Sequence, residues 1–237
     1  MSPEVAHAVA ASAADLTDPS GQLDIVWHGG EPLTLGLRKF EELLAPFEEL
    51  RHAGWIQHSV QTNATLIDDE WCDLLARYQF SVGVSIDGPA ALNARRVDLR
   101  GRPAFDRIAR GIRRLRDHGI RFSLIAVVGI EGIEQPESLL DFLATLGPHT
   151  IGLNVEELEG VNDQRCGITQ AQAERFWQGV LDWRRAHGEG PALRELERLT
   201  DYLYLARSGQ RAAGSAKSGA DTASIRFRQR RWMETWC

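Results

Sequence analysis

Hydrophobic and polar residues follow two alternating periods along the first two thirds of the chain. Apolar runs of five to eight residues predict strands, and apolar residues spaced three or four positions apart between these runs predict helices. The predicted strands are residues 23–27, 56–62, 80–86, 121–128 and 150–155. The predicted helices are residues 5–16, 37–52, 69–78, 104–118 and 136–146. Strand and helix therefore alternate strictly.

This alternation predicts an α/β fold with a parallel sheet, because parallel strands are joined by crossover helices. The strands begin about 32 residues apart on average, which is the unit length of a parallel barrel. A whole or partial barrel is the first interpretation, and a doubly wound open sheet is the alternative. In both folds the ligand lies at the carboxyl ends of the strands, so those residues are the candidates for chemistry.

The last third of the chain has a different pattern. Thr169 and Gln172 form a capping box at the start of one helix, and Pro191 starts a second helical run. The final residues are rich in Gly, Ser, Ala and Arg and show little periodicity. We therefore predict a barrel domain at residues 1–165, a helical extension at 166–207 and a flexible tail at 208–237.

Composition and charge exclude several classes of protein. The chain has 237 residues, of which 43% are hydrophobic, so it can form a substantial core. Its net charge of −6 argues against a nucleic-acid partner or an anionic membrane surface. It has no apolar stretch long enough to span a membrane and no N-terminal signal pattern, so we expect a cytoplasmic protein.

Chemistry-bearing residues follow three consecutive strands. Gly29, Gly30 and Glu31 close the first strand, where backbone carbonyls and a carboxylate would suit an ammonium group. Gln61 closes the second strand among neutral hydrogen-bonding groups. Ser85 and Asp87 close the third and point to the same side, because strand side chains alternate. Ordinary turn chemistry is the alternative for each of these ends.

Arg96 follows the third strand, and a guanidinium can hold a carboxylate through two parallel bonds. The final strand offers Asn154, Glu156 and Glu157, which could hold a peptide or form only a solvated loop. No histidine spacing supports a protein-bound metal, so no metal site is predicted. The motifs of serine hydrolases, Rossmann dehydrogenases and P-loop NTPases are missing.

The strand-end motifs together resemble the radical S-adenosylmethionine superfamily, and most closely its peptide-maturing branch with a SPASM extension. The resemblance covers residues 1–165 and is carried, in order, by the motifs HGGEPL, QTN and SIDGP, then Arg96, then RGRPAF. The stretch NVEELEGVN at residues 154–162 is similar to cyclophane-forming maturases associated with glycine-rich repeat peptides.

This resemblance implies a partial (β/α)₆ barrel that binds S-adenosylmethionine on a [4Fe–4S] cluster. Its reductive cleavage gives a radical that abstracts hydrogen from a precursor peptide. The matching motifs imply that Gly29, Gly30 and Glu31 contact the methionyl amino group of the cofactor. They also imply that Gln61 and Ser85 hold its sulfonium and ribose, that Arg96 pairs with its carboxylate, and that Asp87 lies in the same pocket.

The three cysteines, Cys72, Cys166 and Cys237, do not match the CxxxCxxC run that ligates the cluster in this superfamily. The resemblance therefore implies a barrel that lacks its first strand and its cluster ligands. We expect a truncated peptide-modifying enzyme that is inactive as this chain, with a misplaced start site or a split protein as explanations. The alternative is a cluster-free pseudo-enzyme or binding module for a precursor peptide or S-adenosylmethionine. An exposed barrel edge would favour pairing with another chain.

Overall fold

The computed structural model of the protein describes residues 1–16, 21–157 and 167–207. The chain divides into two compact units. The first runs from Met1 to Ala192 and contains the sheet and the helices around it. The second begins at Leu193, and its described part consists mainly of one helix. The predicted boundary at residue 165 and the predicted tail at 208–237 lie outside the described residues.

The described strands form one sheet in sequence order. They are β1 (Leu23–Trp27), β2 (Ile56–Thr62), β3 (Ser81–Ser85), β4 (Phe122–Val128), β5 (Thr150–Val155) and β6 (Ala192–Leu193). The pairs from β1 to β5 are all parallel, which confirms the predicted α/β class. A doubly wound sheet reverses its strand order at a switch point. The described strands show no such reversal, which favours the barrel-type order.

The helices lie between the strands, as the pattern predicts. They are α1 (Pro3–Leu16), α2 (Leu37–Leu44), α3 (Glu48–His52), α4 (Asp69–Arg77), α5 (Phe105–Asp117), α6 (Pro136–Thr145), α7 (Gln170–Ala186) and α8 (Arg194–Arg207). Within the described ranges, no helix is long and apolar enough to cross a bilayer.

The prediction of one continuous helix over residues 37–52 was wrong. A short 3₁₀ turn, Ala45–Phe47, separates α2 from α3. Pro46 lies in this turn, and proline cannot donate the backbone hydrogen bond that a continuous helix needs.

The prediction that Pro191 begins a helix was also wrong, because β6 comes first and α8 begins at Arg194. The N–H of Ala192 in β6 donates to the carbonyl oxygen of His149, with the two atoms 3.0 Å apart, a normal hydrogen-bond length.

Capping residues define several helix ends. Asp68 caps the N-terminus of α4, where its side chain accepts a hydrogen bond from the N–H of Trp71 at 2.9 Å. Thr169 and Gln172 form the predicted capping box of α7. Gly119 follows α5 with φ of +66°, a left-handed conformation that glycine adopts without strain. These local signals explain why most predicted boundaries agree with the structure to within one residue.

The edge of the described sheet at β1 is partly exposed. Val26 keeps 41% of its surface accessible, and Asp24 is also exposed. Helix α1 packs through its alanine face against α2 and the Ala45–Phe47 turn. Pairing of β1 with another chain remains a prediction.

An aromatic cluster fills the space between β1, β2 and the neighbouring helices. Trp27 contacts Phe40 with ring centroids 5.0 Å apart, and Phe40 contacts Trp71 at 5.4 Å. His58 lies within this cluster, stacked on Phe80 at 5.2 Å. Because side chains alternate along β2, His58 faces the helices while Gln61 faces the opposite, inner side of the sheet.

His58 is a fully buried histidine held in its neutral form. The indole N–H of Trp27 donates to Nδ1 at 3.2 Å, and Nε2 has no hydrogen-bond partner among the described residues. Burial lowers the pKa of His58 from 6.5 to about 4. Between pH 6.5 and about 4, the imidazole of His58 is therefore neutral in the folded protein and protonated in the unfolded chain.

This burial predicts a loss of stability in mild acid. Between pH 6.5 and about 4 the unfolded chain binds a proton at residue 58 that the folded chain does not. The free energy of unfolding should therefore fall by roughly 3 kcal/mol as the pH drops through this window. Urea titrations at pH 7 and pH 4.5 should show a smaller loss for His58→Phe than for the wild type. His7→Gln, at an exposed histidine, serves as the control. An equal acid loss in His58→Phe would contradict the account.

Candidate functional site

The carboxyl ends of β1 to β5 form one edge of the parallel sheet, and the candidate residues lie along it. After β1, Gly29 and Gly30 have φ of +97° and +61°. Residues with side chains rarely adopt such angles. A Cβ atom at either position would meet no heavy atom within 4 Å, so the backbone here is open to approach. This arrangement lets a ligand lie directly against the two peptide units.

Glu31 connects the ends of β1 and β2. Its Oε1 accepts from the hydroxyl of Thr62 at 2.6 Å and from the N–H of Leu33 at 3.2 Å. Its Oε2 accepts from the N–H of Asn63 at 2.7 Å. Burial raises the pKa of Glu31 above its ordinary value, and these three hydrogen bonds act against that shift. The carboxylate is thus held in a fixed orientation at the strand ends.

Gln61 and Ser85 form a buried polar pair on the inner face of β2 and β3. The Gln61 Nε2 donates to Ser85 Oγ at 2.9 Å, and each residue is 5% exposed. Neither group is charged at neutral pH. A pair of this kind can orient a neutral polar ligand but performs no acid–base chemistry.

Asp87 and Arg96 form a bidentate ion pair after β3. The Nε and Nη2 of Arg96 donate to the two carboxylate oxygens at 2.7 Å each. The N–H of Val127 on β4 also donates to Asp87, at 2.9 Å. Asp87 therefore ties the Arg96 loop to the ends of β3 and β4. The guanidinium of Arg96, which was predicted to pair with a ligand carboxylate, is therefore already paired with Asp87 through Nε and Nη2.

Asn93 is a buried residue that hydrogen-bonds to the backbone of Asp87. It is 1% exposed, and its Oδ1 accepts from the N–H of Asp87 at 3.0 Å. Its Nδ2 has no hydrogen-bond partner among the described residues. Buried amide donors are normally satisfied, so a donor in this position suits a bound acceptor or an ordered water.

A second ion-pair cluster lies at the ends of β4 and β5. The Nη1 of Arg95 donates to both carboxylate oxygens of Glu156 at 2.9 Å. Its Nη2 lies 3.4 Å from Glu131. Asn154 and Glu157 are exposed on the same strand end. The acidic residues proposed for peptide binding thus include one, Glu156, that is engaged by an arginine.

The structure brings the predicted residues at the ends of β1 to β3 into three sets of contacts. Gln61 contacts Ser85 and Asp87 contacts Arg96, while Glu31 contacts the Thr62–Asn63 end of β2. Sequence reasoning missed Asn93 and Arg95. Their partners lie 6 and 61 residues away along the chain, and no periodic signal connects them.

The RGRPAF motif has a structural explanation. Asp98 accepts from the N–H groups of Arg100 and Arg102 at 2.9 Å each. It also accepts from the Arg102 Nε at 2.8 Å. These bonds lower the pKa of Asp98 to about 2. The motif therefore forms a tight turn that leads into α5.

Within the described residues, no group of three His, Cys, Asp or Glu side chains could hold a metal ion. Cys72 is the one cysteine described, and it is fully buried in α4. Burial raises the pKa of its thiol to about 11, so it behaves as a small apolar residue. Cys166 and Cys237 lie outside the described residues. The described side chains do not fit the cysteine ligand set of an iron–sulfur cluster.

The family model described as the radical SAM superfamily matches residues 8–143. The serine-type anaerobic sulfatase-maturating enzyme of Klebsiella aerogenes is 38% identical over 178 residues, which cover 73% of this chain and 44% of that enzyme. The chain spans about half the length of the curated relatives it matches.

Two solved structures have the same fold. Native anSMEcpe with bound AdoMet and Kp18Cys peptide matches with a TM-score of 0.78 and 22% identity, covering 87% of this chain and 59% of that one. Streptococcus suis SuiB bound to precursor peptide SuiA matches with a TM-score of 0.62 and 22% identity, covering 81% of this chain and 42% of that one. At this level of identity the two matches support the partial-barrel fold.

Proposed function

The chain belongs to the radical S-adenosylmethionine (SAM) superfamily, and from this premise we propose that it is the SAM-binding barrel of a peptide-modifying enzyme. Its relatives include anaerobic sulfatase-maturating enzymes. The observation that carries the proposal is the row of fixed polar groups at the carboxyl ends of β1, β2 and β3. This edge is where parallel α/β sheets bind their ligands.

The first part of the proposed site binds the ammonium group of SAM. Glu31 supplies a carboxylate fixed by three hydrogen bonds, and the open peptide units of Gly29 and Gly30 directly precede it in the chain. An ammonium group donates up to three hydrogen bonds and favours such acceptors. The proposed role of Glu31 is thus to orient the amino-acid end of the ligand and offset its positive charge.

The second part binds the ribose and the carboxylate. Gln61 and Ser85 are neutral and buried, which suits ribose hydroxyl groups. Arg96 would pair with the ligand carboxylate through Nη1, the guanidinium nitrogen that does not face Asp87. In this proposal Asp87 orients Arg96 and does not itself contact the ligand. Bound SAM would supply a hydrogen-abstracting radical only where an iron–sulfur cluster, whose ligands the described residues do not provide, delivers the electron for its reductive cleavage.

The proposed substrate is a peptide. The solved structures of anSMEcpe and SuiB that match this fold each contain a peptide. In this chain, Asn154, Glu156 and Glu157 lie at the end of β5, on the same edge as the proposed SAM site. The glycine-rich repeat branch remains part of the proposal, although residues 158–162 of its motif lie outside the described residues.

Isothermal titration calorimetry tests this function on the chain as it is. We expect S-adenosylhomocysteine, a stable analogue of SAM, to bind with one site per chain. Ser85→Ala should weaken binding roughly tenfold, because one buried hydrogen bond is lost. Ser138→Ala, at an exposed serine of α6, is the matched control and should bind as the wild type does. Binding of a glycine-rich peptide without binding of the nucleotide would contradict the proposal and favour the binding-module alternative.

The expectation that this chain is inactive alone needs a separate measurement. Anaerobic reconstitution with iron and sulfide, followed by detection of 5′-deoxyadenosine, reads out cofactor cleavage directly. We expect no product from the chain alone, because its described residues supply no set of cluster ligands. Cleavage by the reconstituted chain would contradict this expectation.

A further inference from the structure

Gly83 lies beside Gln61 on the inner face of the sheet. The two residues are register partners on β3 and β2, so their side-chain directions are the same. A Cβ atom at residue 83 would lie 2.2 Å from Oε1 and 3.1 Å from Cδ of Gln61. The Gln61 carboxamide therefore occupies the space that a side chain at residue 83 would fill.

This placement lets Gln61 reach Ser85. Ser85 lies two residues beyond Gly83 on the same face of β3, so Gln61 must cross β3 diagonally to bond to it. The bond from Nε2 to Ser85 Oγ is 2.9 Å long. Because Oγ accepts this bond, the hydroxyl proton of Ser85 can be directed elsewhere. The Ser85 hydroxyl is then an oriented hydrogen-bond donor at the carboxyl end of β3.

We infer that Gly83 is a positioning residue for the nucleotide site, because the absence of a side chain there leaves the space in which Gln61 hydrogen-bonds to Ser85. This inference rests on the proposed function, in which Gln61 and Ser85 bind the ribose. A substitution at residue 83 meets only the far end of a flexible side chain. Gln61 can therefore rotate away without moving the backbone, so the fold survives while the hydrogen bond to Ser85 is lost.

The test is Gly83→Ala, measured by calorimetry with S-adenosylhomocysteine and by thermal unfolding. We expect roughly tenfold weaker binding with a Tm within about 2 °C of the wild type. Ser81→Ala is the matched control, since Ser81 lies two residues earlier on the same face of β3 and is exposed. This control should leave both the affinity and the Tm unchanged. Wild-type affinity in Gly83→Ala would overturn the inference.

A double-mutant cycle separates positioning from general packing. Gln61→Ala should weaken binding about as much as Gly83→Ala, and the double variant should be no weaker than Gln61→Ala alone. A double variant whose loss of affinity equals the product of the two single losses would overturn the inference. If Gly83→Ala unfolds, Gln61→Ala should restore its Tm, because the contact partner is gone. A double variant that stays unfolded would also overturn it.

The inference and the proposed function fail in different ways. A wild-type chain that does not bind S-adenosylhomocysteine would overturn the nucleotide site and, with it, the role of Gly83. A wild-type chain that binds, together with a Gly83→Ala variant that binds equally well, would leave the nucleotide site standing and remove only this inference.

Discussion

Gly111→Ala is expected to lower the free energy of unfolding by about 3 kcal/mol. Gly111 lies on the buried side of α5, and a Cβ atom there would lie 2.0 Å from the carbonyl oxygen of Ala64. That oxygen belongs to the backbone, so relief requires α5 or the β2–α4 turn to move. Alanine gains about 1 kcal/mol of helix propensity over glycine, which offsets only part of the cost.

The turn that Gly111 contacts has little freedom to adjust. Ala64 is fully buried and has φ of +56°, an uncommon conformation for a residue with a side chain. Its N–H donates to the Thr62 hydroxyl at 3.0 Å. The same hydroxyl bonds to Glu31. A displaced turn should therefore also weaken binding of S-adenosylhomocysteine.

Urea unfolding monitored by tryptophan fluorescence measures the effect of Gly111→Ala. Arg110→Ala is the matched control, because residue 110 is the exposed neighbour on the same helix. We expect the control to change the free energy of unfolding by no more than about 0.5 kcal/mol. A Gly111→Ala variant as stable as this control would show that the contact between α5 and the turn is looser than described.

Glu31→Gln is expected to weaken binding of S-adenosylhomocysteine roughly 10- to 100-fold. The substitution removes the negative charge proposed to face the ammonium group. It also disturbs the strand ends, since Oε1 and Oε2 both accept from donors in the structure. A glutamine has one accepting oxygen, so its NH₂ group must face either the N–H of Asn63 or the donors on the other side.

This conflict should also cost about 2 kcal/mol of stability at pH 7. Calorimetry and urea unfolding measure the two effects on the same protein sample. Glu49→Gln, at an exposed glutamate of α3, is the control for loss of one negative charge. Unchanged affinity in Glu31→Gln would mean that the ligand amino group does not lie near Glu31.

Regular elements could be predicted well from the sequence because they depend on local spacing. The bounds of β1, β2 and β5 agree with the apolar runs that predicted them. The errors occur where a short element has little periodicity. Strand β6 has two residues, and the proline-containing turn between α2 and α3 interrupts an otherwise continuous apolar pattern.

The candidate site could be predicted in its location but not in its contacts. Parallel strands place their carboxyl ends at one edge, so Glu31, Gln61 and Ser85 were identifiable from strand ends alone. The pairing of Arg96 with Asp87, and of Arg95 with Glu156, depends on how loops fold over the sheet. The role of Gly83 depends on strand register, which a single sequence does not specify.

A crystal structure of this chain with S-adenosylhomocysteine tests the central claim most directly. The account predicts the ligand amino nitrogen within about 3 Å of a Glu31 carboxylate oxygen and a ribose oxygen at the same distance from Ser85 Oγ. A ligand bound elsewhere would contradict the claim, for example in the groove lined by Trp183 and His187.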